Sequence, residues 1–407
     1  MFGLSWCQRK WLVQKNSNVK NLVIWNFFRS YVKRRYPINR EEEENLPVFQ
    51  YAGNSPPRAR VYVWGLAEHG ALGINLQINK SRKPIHYINK PVRTFFAEQH
   101  KIVDIACGYG FTVWAVKTRE KYKLFGCGIN TDSQIDVANT RVLRVAAGRA
   151  HLLVLTDQEG VFTLGNNAYG QCGREIIEEE KYADSRIVHT IPNINGIKIS
   201  DIECGQDHSL FLCENGEVYA CGWGADGQTG LGHFNSEWKP SRVIGDIVGE
   251  RIIKVSSTSD CILALNDRGE VFGWGNSEYH QLCSLDIQQV NTAKYLDKCR
   301  GLGKIIDVAA GGSFCAVVNG PVVDQAKEPT QIPSTLFGRN EFQPDSKVAK
   351  VTAGLSHLAA ISNYGDLYMW GHNKGGYWSF SQESLLWSGS HRCTLFTFYL
   401  SVCICDS

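Results

Sequence analysis

The stretch KISDIECGQDHSLFLCENGEVYACGWGADGQTGLG, residues 198–232, decides the fold of this 407-residue chain. An alternating apolar segment leads to Gly205, a second apolar run begins at Ser209, and Asn215-Gly216 precedes a third. Because Asn-Gly adopts positive φ readily, it supplies a tight hairpin turn. The stretch therefore predicts three short antiparallel strands joined by glycine-containing turns.

The same pattern recurs along most of the chain. Longer copies occupy residues 141–173, 251–282 and 347–376, and shorter ones occupy 101–116 and 304–318. The residue that ends the first strand, which we call the anchor, recurs about every 49 residues. The anchors are Gly108, Gly148, Gly205, Thr258, Gly311 and Gly354. A period near 50 residues with three or four strands per copy predicts a β-propeller, in which each blade packs on the next. Thr258 in place of glycine predicts a distorted turn in its copy.

The third residue after each anchor varies in its chemistry. It is His151, His208 and His357 in three copies, and Phe111, Cys261 and Phe314 in the others. A position that accepts all three residue types is typical of packing between blades. We therefore interpret the anchors and these histidines as structural and expect neither a metal site nor a catalytic residue.

The chain has 14 cysteines but no Cys-x-x-Cys pair, the spacing expected of a zinc knuckle. Several of them lie in apolar runs beside glycine or alanine, where cysteine behaves as a small hydrophobic residue. The sequence predicts buried free thiols rather than a disulfide framework, and it implies no cofactor.

Residues 1–40 carry nine basic side chains and no Asp or Glu, and Glu41–Glu44 follow directly. A basic, amphipathic, acid-free N-terminus predicts a mitochondrial transit peptide; a nucleic-acid-binding arm or a disordered tail is the alternative. Residues 41–407 hold 34 basic and 40 acidic side chains, so this part is mildly acidic. No apolar run reaches the ~18 residues of a transmembrane helix, so none is expected.

The segments CGQDHSLFL and ENGEVYACGWGADGQTGLGH resemble the regulator-of-chromosome-condensation repeat, as do AAGRAHLLVLTDQEGVFTLG and TAGLSHLAAISNYGDLYMWG. The resemblance implies an all-β fold, a seven-bladed β-propeller over residues 47–376 with about six blades represented. Residues 1–46 are then the transit peptide and an acidic linker, and residues 377–407 are an aberrant tail without repeat pattern.

The chain departs from this family pattern in two places. After residues 304–318 the expected Gly-x-Val-Phe-x-Trp-Gly strand is replaced by a segment that begins at Pro321, so that blade should lack a strand. Residues 61–65 resemble the strand that closes such propellers, but residues 377–407 show no matching partner. We therefore expect the last blade to stay unclosed.

The resemblance also implies a function. It implies a non-enzymatic regulator that acts as a guanine-nucleotide exchange factor for a mitochondrial GTPase, a dynamin-related GTPase of inner-membrane fusion. In the nuclear relative an acidic residue at the position of Asp207 faces the GTPase Ran, so Asp207, Asp260 and Gln206 are candidates for the partner-facing rim. From the residues alone, the presence of Asp207 and Asp260 at these positions is equally explained by hydrogen bonds within their turns.

A scaffold for mitochondrial large-subunit ribosomal RNA and its pseudouridine synthases is the second hypothesis. Lys80, Arg82 and Lys83 are the candidate RNA contacts, with a solvated loop as the alternative and salt dependence as the test. An adaptor without exchange activity is a third. All three place the chain in the mitochondrial matrix, in peripheral contact with the inner membrane at most.

Overall fold

A computed structural model describes residues 60–74, 86–118, 122–130, 141–184, 187–282, 287–319, 322–324, 330–332, 334–341, 343–371, 393–397 and 400–405. All of these residues belong to the second of two units of the chain, Pro57–Ser407. The transit peptide predicted for residues 1–46 thus lies outside the described residues, and all that follows concerns the second unit.

Within the described residues, 26 strands form seven antiparallel sheets, which we call blades. The chain starts with β1 (Arg60–Leu66) and β2 (Tyr87–Arg93). Blade 1 is β3 (Lys101–Cys107), β4 (Phe111–Lys117) and β5 (Tyr122–Gly128). Blade 2 is β6 (Val142–Ala147), β7 (His151–Thr156), β8 (Val161–Gly165) and β9 (His189–Ile191). Blade 3 is β10 (Ile199–Cys204), β11 (His208–Cys213), β12 (Val218–Gly222) and β13 (Glu237–Arg242).

The remaining strands follow in the same order. Blade 4 is β14 (Ile252–Ser257), β15 (Cys261–Asn266), β16 (Val271–Asn276) and β17 (Gln289–Tyr295). Blade 5 is β18 (Asp307–Ala310), β19 (Cys315–Val318), β20 (Val322–Asp324) and β21 (Thr330–Ile332). Blade 6 is β22 (Val348–Ala353), β23 (His357–Ser362) and β24 (Leu367–Gly371). Finally β25 (Cys393–Thr397) and β26 (Leu400–Cys405) join β1 and β2 in the order β2-β1-β26-β25, the closing blade. Two short helices, α1 (Phe95–Gln99) and α2 (Asp297–Arg300), and 3-10 turns at Glu68–Gly70, Tyr182–Asp184 and Ser334–Phe337 lie between strands.

Blade 3 shows why the repeat folds as it does. Its second strand, β11, pairs with β10 on one side and β12 on the other, and all six of its residues are buried. Gly216 closes the β11–β12 hairpin at φ 88° and donates its N–H to the Cys213 carbonyl at 2.9 Å. Equivalent turns have φ of 84°, 86° and 90° at Gly160, Gly269 and Gly365. The hairpin turns predicted from the sequence are thus confirmed.

The hydrophobic core lies between blades rather than within them. One cluster joins Leu153 of blade 2 to Ile202 and Phe211 of blade 3, and comparable clusters join the other neighbouring blades. The cluster around Trp64 of the closing blade includes Trp114 of blade 1 and reaches blade 6. Each thin sheet is therefore stable only between two neighbours.

The first strands of the blades contact one another in sequence, and β25 contacts both β22 and β3, which closes the ring. The predicted all-β, seven-bladed propeller is therefore confirmed, although seven blades are present rather than about six. The expectation of an unclosed last blade is wrong, because β26 pairs with β1 along Arg60–Gly65. Closure needs only backbone pairing, so the anchor glycine and hairpin pattern are dispensable in residues 393–405.

A similar correction applies to blade 5, which was expected to lack a strand. The third strand is present as β20, but it is only three residues long and joins β19 through the single pair Val318↔Val322. The departure after residues 304–318 therefore shortens the strand instead of removing it.

Three of the five anchor glycines, Gly108, Gly148 and Gly205, pack against a carbonyl oxygen of the next blade. A Cβ on Gly148 would lie 2.6 Å from His151 Nδ1 and 2.7 Å from the Gly205 carbonyl oxygen, and one on Gly108 would lie 2.7 Å from the Gly148 carbonyl oxygen. Real Cβ atoms do not approach so closely, so only glycine fits. Thr258 is accommodated because its Oγ1 donates to the Ala353 carbonyl of blade 6 at 2.9 Å. Its turn, from β14 to β15, has the same length as those of blades 1, 2, 3 and 6, so the distortion predicted for it does not change its length.

A cavity of about 530 Å³ is lined by the first strands of blades 1–6. The residue four before each anchor faces it, and its charge alternates around the ring in the order Asp104, Arg144, Asp201, Lys254, Asp307 and Lys350. Arg144 lies 3.5 Å from both Asp104 and Asp201, and Lys254 pairs with Asp307. The alternation replaces like-charge repulsion by attraction between neighbouring blades.

Two of these carboxylates also accept hydrogen bonds from backbone N–H groups at the edge of the neighbouring inner strand. Asp104 Oδ2 accepts the N–H of Val145 in blade 2 at 2.9 Å, and Asp307 Oδ2 accepts that of Val351 in blade 6 at 2.8 Å. An unpaired N–H on an edge strand is costly when buried. A side chain of one blade thus completes the hydrogen bonding of the next.

We predict that Gly148→Ala lowers the free energy of unfolding by about 1–3 kcal/mol, because the new methyl overpacks the joint between blades 2 and 3. Urea unfolding measures the loss. The control is Gly301→Ala, at an ordinary φ of −73° with nothing within 4 Å of its Cβ. Equal stability of the two variants would contradict the role of the anchor.

We also predict that deleting residues 393–407 opens the ring and lowers Tm by more than about 4 °C. In a smaller domain, a loss of ~1 kcal/mol in the free energy of unfolding causes a shift of that size. The deletion exposes the edge of β1, so faster aggregation should accompany it. Scanning calorimetry and light scattering measure both. Deletion of only Asp406 and Ser407, which follow β26, is the control and should change neither.

Candidate partner-binding rim

Asp207 lies in the loop between β10 and β11, two residues after Gly205, the anchor of blade 3. Its carboxylate accepts a hydrogen bond from Arg149 Nη2 of blade 2 at 2.7 Å, and only 11% of the Asp207 side chain is exposed against 45% for Arg149. Burial raises the pKa of Asp207, and the guanidinium opposes that shift. The group most accessible at this point of the rim is therefore the cation rather than the predicted carboxylate.

Asp260 holds the matching place in blade 4, before β15. Its Oδ1 accepts a hydrogen bond from Gln228 Nε2 at 3.1 Å. Burial, followed by the charge of Asp226, raises the pKa of Asp260 to about 6. At pH 7 it is largely ionised, and it titrates just below neutrality.

Gln206 connects these two loops. Its Nε2 donates to Ser259 Oγ at 2.8 Å, and its carbonyl accepts the N–H of Arg149 at 2.8 Å. Ser259 Oγ in turn donates to Asp260 Oδ2 at 3.4 Å, so the three predicted rim residues belong to one hydrogen-bonded chain that spans blades 2, 3 and 4. Such bracing holds the loops in place before any partner binds.

The histidines after the anchors are fully buried and link neighbouring blades. His151 Nε2 lies 3.1 Å from Ser209 Oγ, and His208 Nε2 lies 3.2 Å from Ser257 Oγ. Because Ser209 Oγ donates its own proton to the Gln171 carbonyl at 2.6 Å, it must accept from His151. His151 is therefore the neutral Nε2–H tautomer.

Burial lowers the pKa of His151 and His208 to about 3 and that of His357 to about 4. Charging these rings would place a second N–H against the anchor glycine, where space is lacking. They are neutral at physiological pH, which agrees with a structural role. Within the described residues no group of His, Cys, Asp and Glu could hold a metal ion.

The structure bears in different ways on three other predicted features: the basic loop, the absence of a transmembrane helix and the free thiols. Lys80, Arg82 and Lys83 lie outside the described residues, so RNA contact by this loop stays a prediction. In the part of the chain that the structure describes, no helix has the length and hydropathy to span a bilayer. Cys107, Cys127, Cys172, Cys204, Cys213, Cys221, Cys261, Cys299 and Cys315 are free thiols.

Sequence reasoning missed two rim residues. Arg149 is not repeated in the other copies, so no pattern marked it as the partner of Asp207. Gln228 could have been found, because glutamine recurs at the same place as Gln171 and Gln281. Each of these amides accepts the backbone N–H two residues earlier, at 2.8–2.9 Å, and so braces the loop after the third strand.

We predict that His151 destabilises the fold as pH falls. Its pKa is near 3 when folded and about 6.5 when unfolded, so below pH 6.5 the unfolded state binds more protons and stability drops by ~1.4 kcal/mol per pH unit. The stability difference between wild type and His151→Phe, measured by urea unfolding, should therefore shift by about 2 kcal/mol between pH 7.5 and pH 5.

Phenylalanine suits this comparison because Phe111 and Phe314 fill the position in blades 1 and 5. Carboxyls with raised pKa values, including Glu203 at about 7, have the opposite pH dependence but are common to both proteins and cancel. A difference that does not change with pH would show that the folded protein accepts a charged His151.

Comparison with known proteins agrees with this architecture. Models of the regulator of chromosome condensation (RCC1) repeat match residues 59–114, 158–212 and 215–265, and a second model of that repeat matches residues 199–228. These segments contain the anchor loops of blades 1, 3 and 4.

A mouse (Mus musculus) protein, RCC1-like G exchanging factor-like protein, is 43% identical over 387 residues, which cover 83% of this chain and 84% of that protein. The human (Homo sapiens) protein of the same name is 42% identical over 382 residues, or 81% and 82%. The crystal structure of human WBSCR16 superposes with a TM-score of 0.79 at 38% identity, over 86% of this chain and 100% of that one. With its repeats and its ring of blades, the chain belongs to the regulator of chromosome condensation (RCC1) repeat family.

Proposed function

We propose that this protein is a non-enzymatic propeller regulator that promotes guanine-nucleotide release from a GTPase. The rim formed by Gln206, Asp207 and Asp260 would face that GTPase. The names of the mouse and human relatives, both G exchanging factor-like, support exchange activity. The observation that carries the proposal is the hydrogen-bonded chain that holds these three residues together across blades 2–4.

An exchange factor needs no bond chemistry. It shifts a binding equilibrium by contacting the nucleotide-free GTPase better than the nucleotide-bound form. Carboxylates suit this task, since they compete with the nucleotide phosphates for a lysine or for Mg²⁺. Asp260, ionised above about pH 6, supplies such a charge at neutral pH.

The ion pair between Arg149 and Asp207 adds a condition. A cationic group of the GTPase reaches Asp207 only by sharing the carboxylate with Arg149 or by displacing it, because the side chain of Asp207 is nearly covered. Arg149 itself is open to an acidic group of the partner. The rim therefore presents both charges, which favours a partner surface of mixed charge rather than a purely basic one.

We propose the mitochondrial matrix as the location and a dynamin-related GTPase of inner-membrane fusion as the partner. The basic, acid-free residues 1–40 support the location. The mildly acidic charge of residues 41–407 favours a protein partner over an RNA scaffold, because RNA binding relies on basic surface.

The test is release of fluorescent GDP from that purified GTPase in the presence of the full chain. We predict that wild type accelerates release and that Asp207→Asn reduces the acceleration about tenfold, equivalent to ~1.4 kcal/mol. Glu214→Gln is the matched control, because Glu214 is an exposed carboxylate on the hairpin at the opposite end of β11.

Two results would contradict the proposal in different ways. Absence of acceleration by wild type would reject exchange activity on this GTPase. Equal acceleration by wild type and Asp207→Asn would retain exchange but reject the rim as its site. Thermal unfolding of both variants checks that they are folded.

A further inference from the structure

Two free thiols of neighbouring blades are in contact. Cys261 is the first residue of β15 in blade 4, Cys315 is the first residue of β19 in blade 5, and their Sγ atoms lie 3.6 Å apart. Both are free cysteines. They are 54 residues apart in the chain, so only the packing of blade on blade brings them together.

The contact occupies a place that the ring uses elsewhere for a polar pair. Cys261 is the third residue after its anchor, like His151, and Cys315 is the fourth after its own, like Ser209. His151 and Ser209 form the inter-blade hydrogen bond between blades 2 and 3 at 3.1 Å. The position of the two thiols is therefore set by the geometry of the ring and not by a chance choice of rotamer.

Cys315 is also more exposed than the residues at the same place in blades 3 and 4. Ser209 and Ile262, at the same place in blades 3 and 4, are fully buried, whereas Cys315 is partly exposed. Ser209 and Ile262 each pair with a residue of the third strand, Cys221 and Trp274. In blade 5 the short β20 pairs with β19 only at Val318. The partial exposure of Cys315 thus coincides with the departure of blade 5 from the repeat pattern.

We propose that Cys261 and Cys315 are a redox modification site that forms a reversible disulfide between blades 4 and 5. With hydrogen peroxide as oxidant, the accessible Cys315 thiol is oxidised to a sulfenic acid and one water leaves. The Cys261 thiol then attacks that sulfur, an S–S bond forms and a second water leaves. Two thiols lose two electrons and two protons, and one peroxide becomes two waters.

The surroundings set the rate of this reaction. The hydrogen bond between the Cys315 and Cys261 thiols, together with burial, raises the pKa of Cys315 well above its ordinary value. Because the thiolate is the reactive form, oxidation at neutral pH is slow and needs sustained peroxide. Cys261 cannot react first, since it is fully buried.

The disulfide would have a mechanical consequence. It would close a covalent loop around the joint between blades 4 and 5, which restricts the unfolded chain and stabilises the folded one. Cys261 directly follows Asp260, so the same bond would restrain the rim loop of blade 4. This inference does not depend on the exchange activity proposed above.

The test is to treat the full chain with hydrogen peroxide and to map its peptides by mass spectrometry without reduction. We predict a linked peptide pair containing Cys261 and Cys315, two hydrogens lighter than the sum of the free peptides, together with a higher Tm. Dithiothreitol should reverse both changes. Cys315→Ser should show neither, while Cys213→Ser, which removes a different buried thiol, should behave as wild type.

Serine is a suitable replacement because Ser209 fills this place in blade 3, and an unchanged Tm of reduced Cys315→Ser would confirm that it folds. Oxidation of Cys315 to sulfinic acid with Cys261 still a thiol would overturn the proposal. So would a Cys261-linked peptide in Cys315→Ser at the wild-type yield, because Cys261 would then have another partner.

Discussion

The close approach of the anchor glycines of blades 1–3 to a carbonyl oxygen of the next blade is the constraint on which this part of the propeller depends. Gly108 lies against Gly148, and Gly148 lies against Gly205, with no room for a methyl group. The distance between blades is set there. The buried hydrogen bonds of His151 and His208 to the next blade lie beside these close approaches.

The cavity lined by the first strands shows a second constraint, which comes from the number of blades. In a ring of charges, every charge can have two neighbours of opposite sign only if the number of charges is even. The first strands of blades 1–6 carry six such charges, from Asp104 to Lys350. The seventh inner strand, β25, has no charged residue in its sequence. It contacts β22, which carries Lys350, and β3, which carries Asp104. An uncharged closing strand thus avoids the mismatch that a seventh charge would create.

The loops that carry the proposed rim also hold neighbouring blades together. The residue after Gln206 is the candidate contact for a GTPase, and the residue before it is the anchor that packs the ring. Arg149 and Asp207 join two blades at the rim, so a partner that engages this ion pair also acts on the joint between blades. The carboxylates are therefore held in place by the propeller rather than by their own loops, which is how a binding site is grafted onto a common fold.

Much of the fold could be predicted from the sequence, because each repeat carries its own local signals. The hairpin glycines need positive φ, the anchors need a missing side chain, and both requirements are visible at Gly216 and Gly148. The position of Asp207 and Asp260 on matching loops was visible for the same reason.

Other features depended on contacts between residues distant in the chain. Closure by β25 and β26 needs only backbone pairing, which leaves a weak trace in composition, and so the sequence predicted an unclosed last blade. The partner of Asp207 and the contact between Cys261 and Cys315 lie across joints between blades, 50 or more residues apart in the chain. The sequence by itself determined the blade and its repeat, whereas the tertiary structure decided how the ring closes and which side chains meet, because these depend on packing between blades and not on any local pattern.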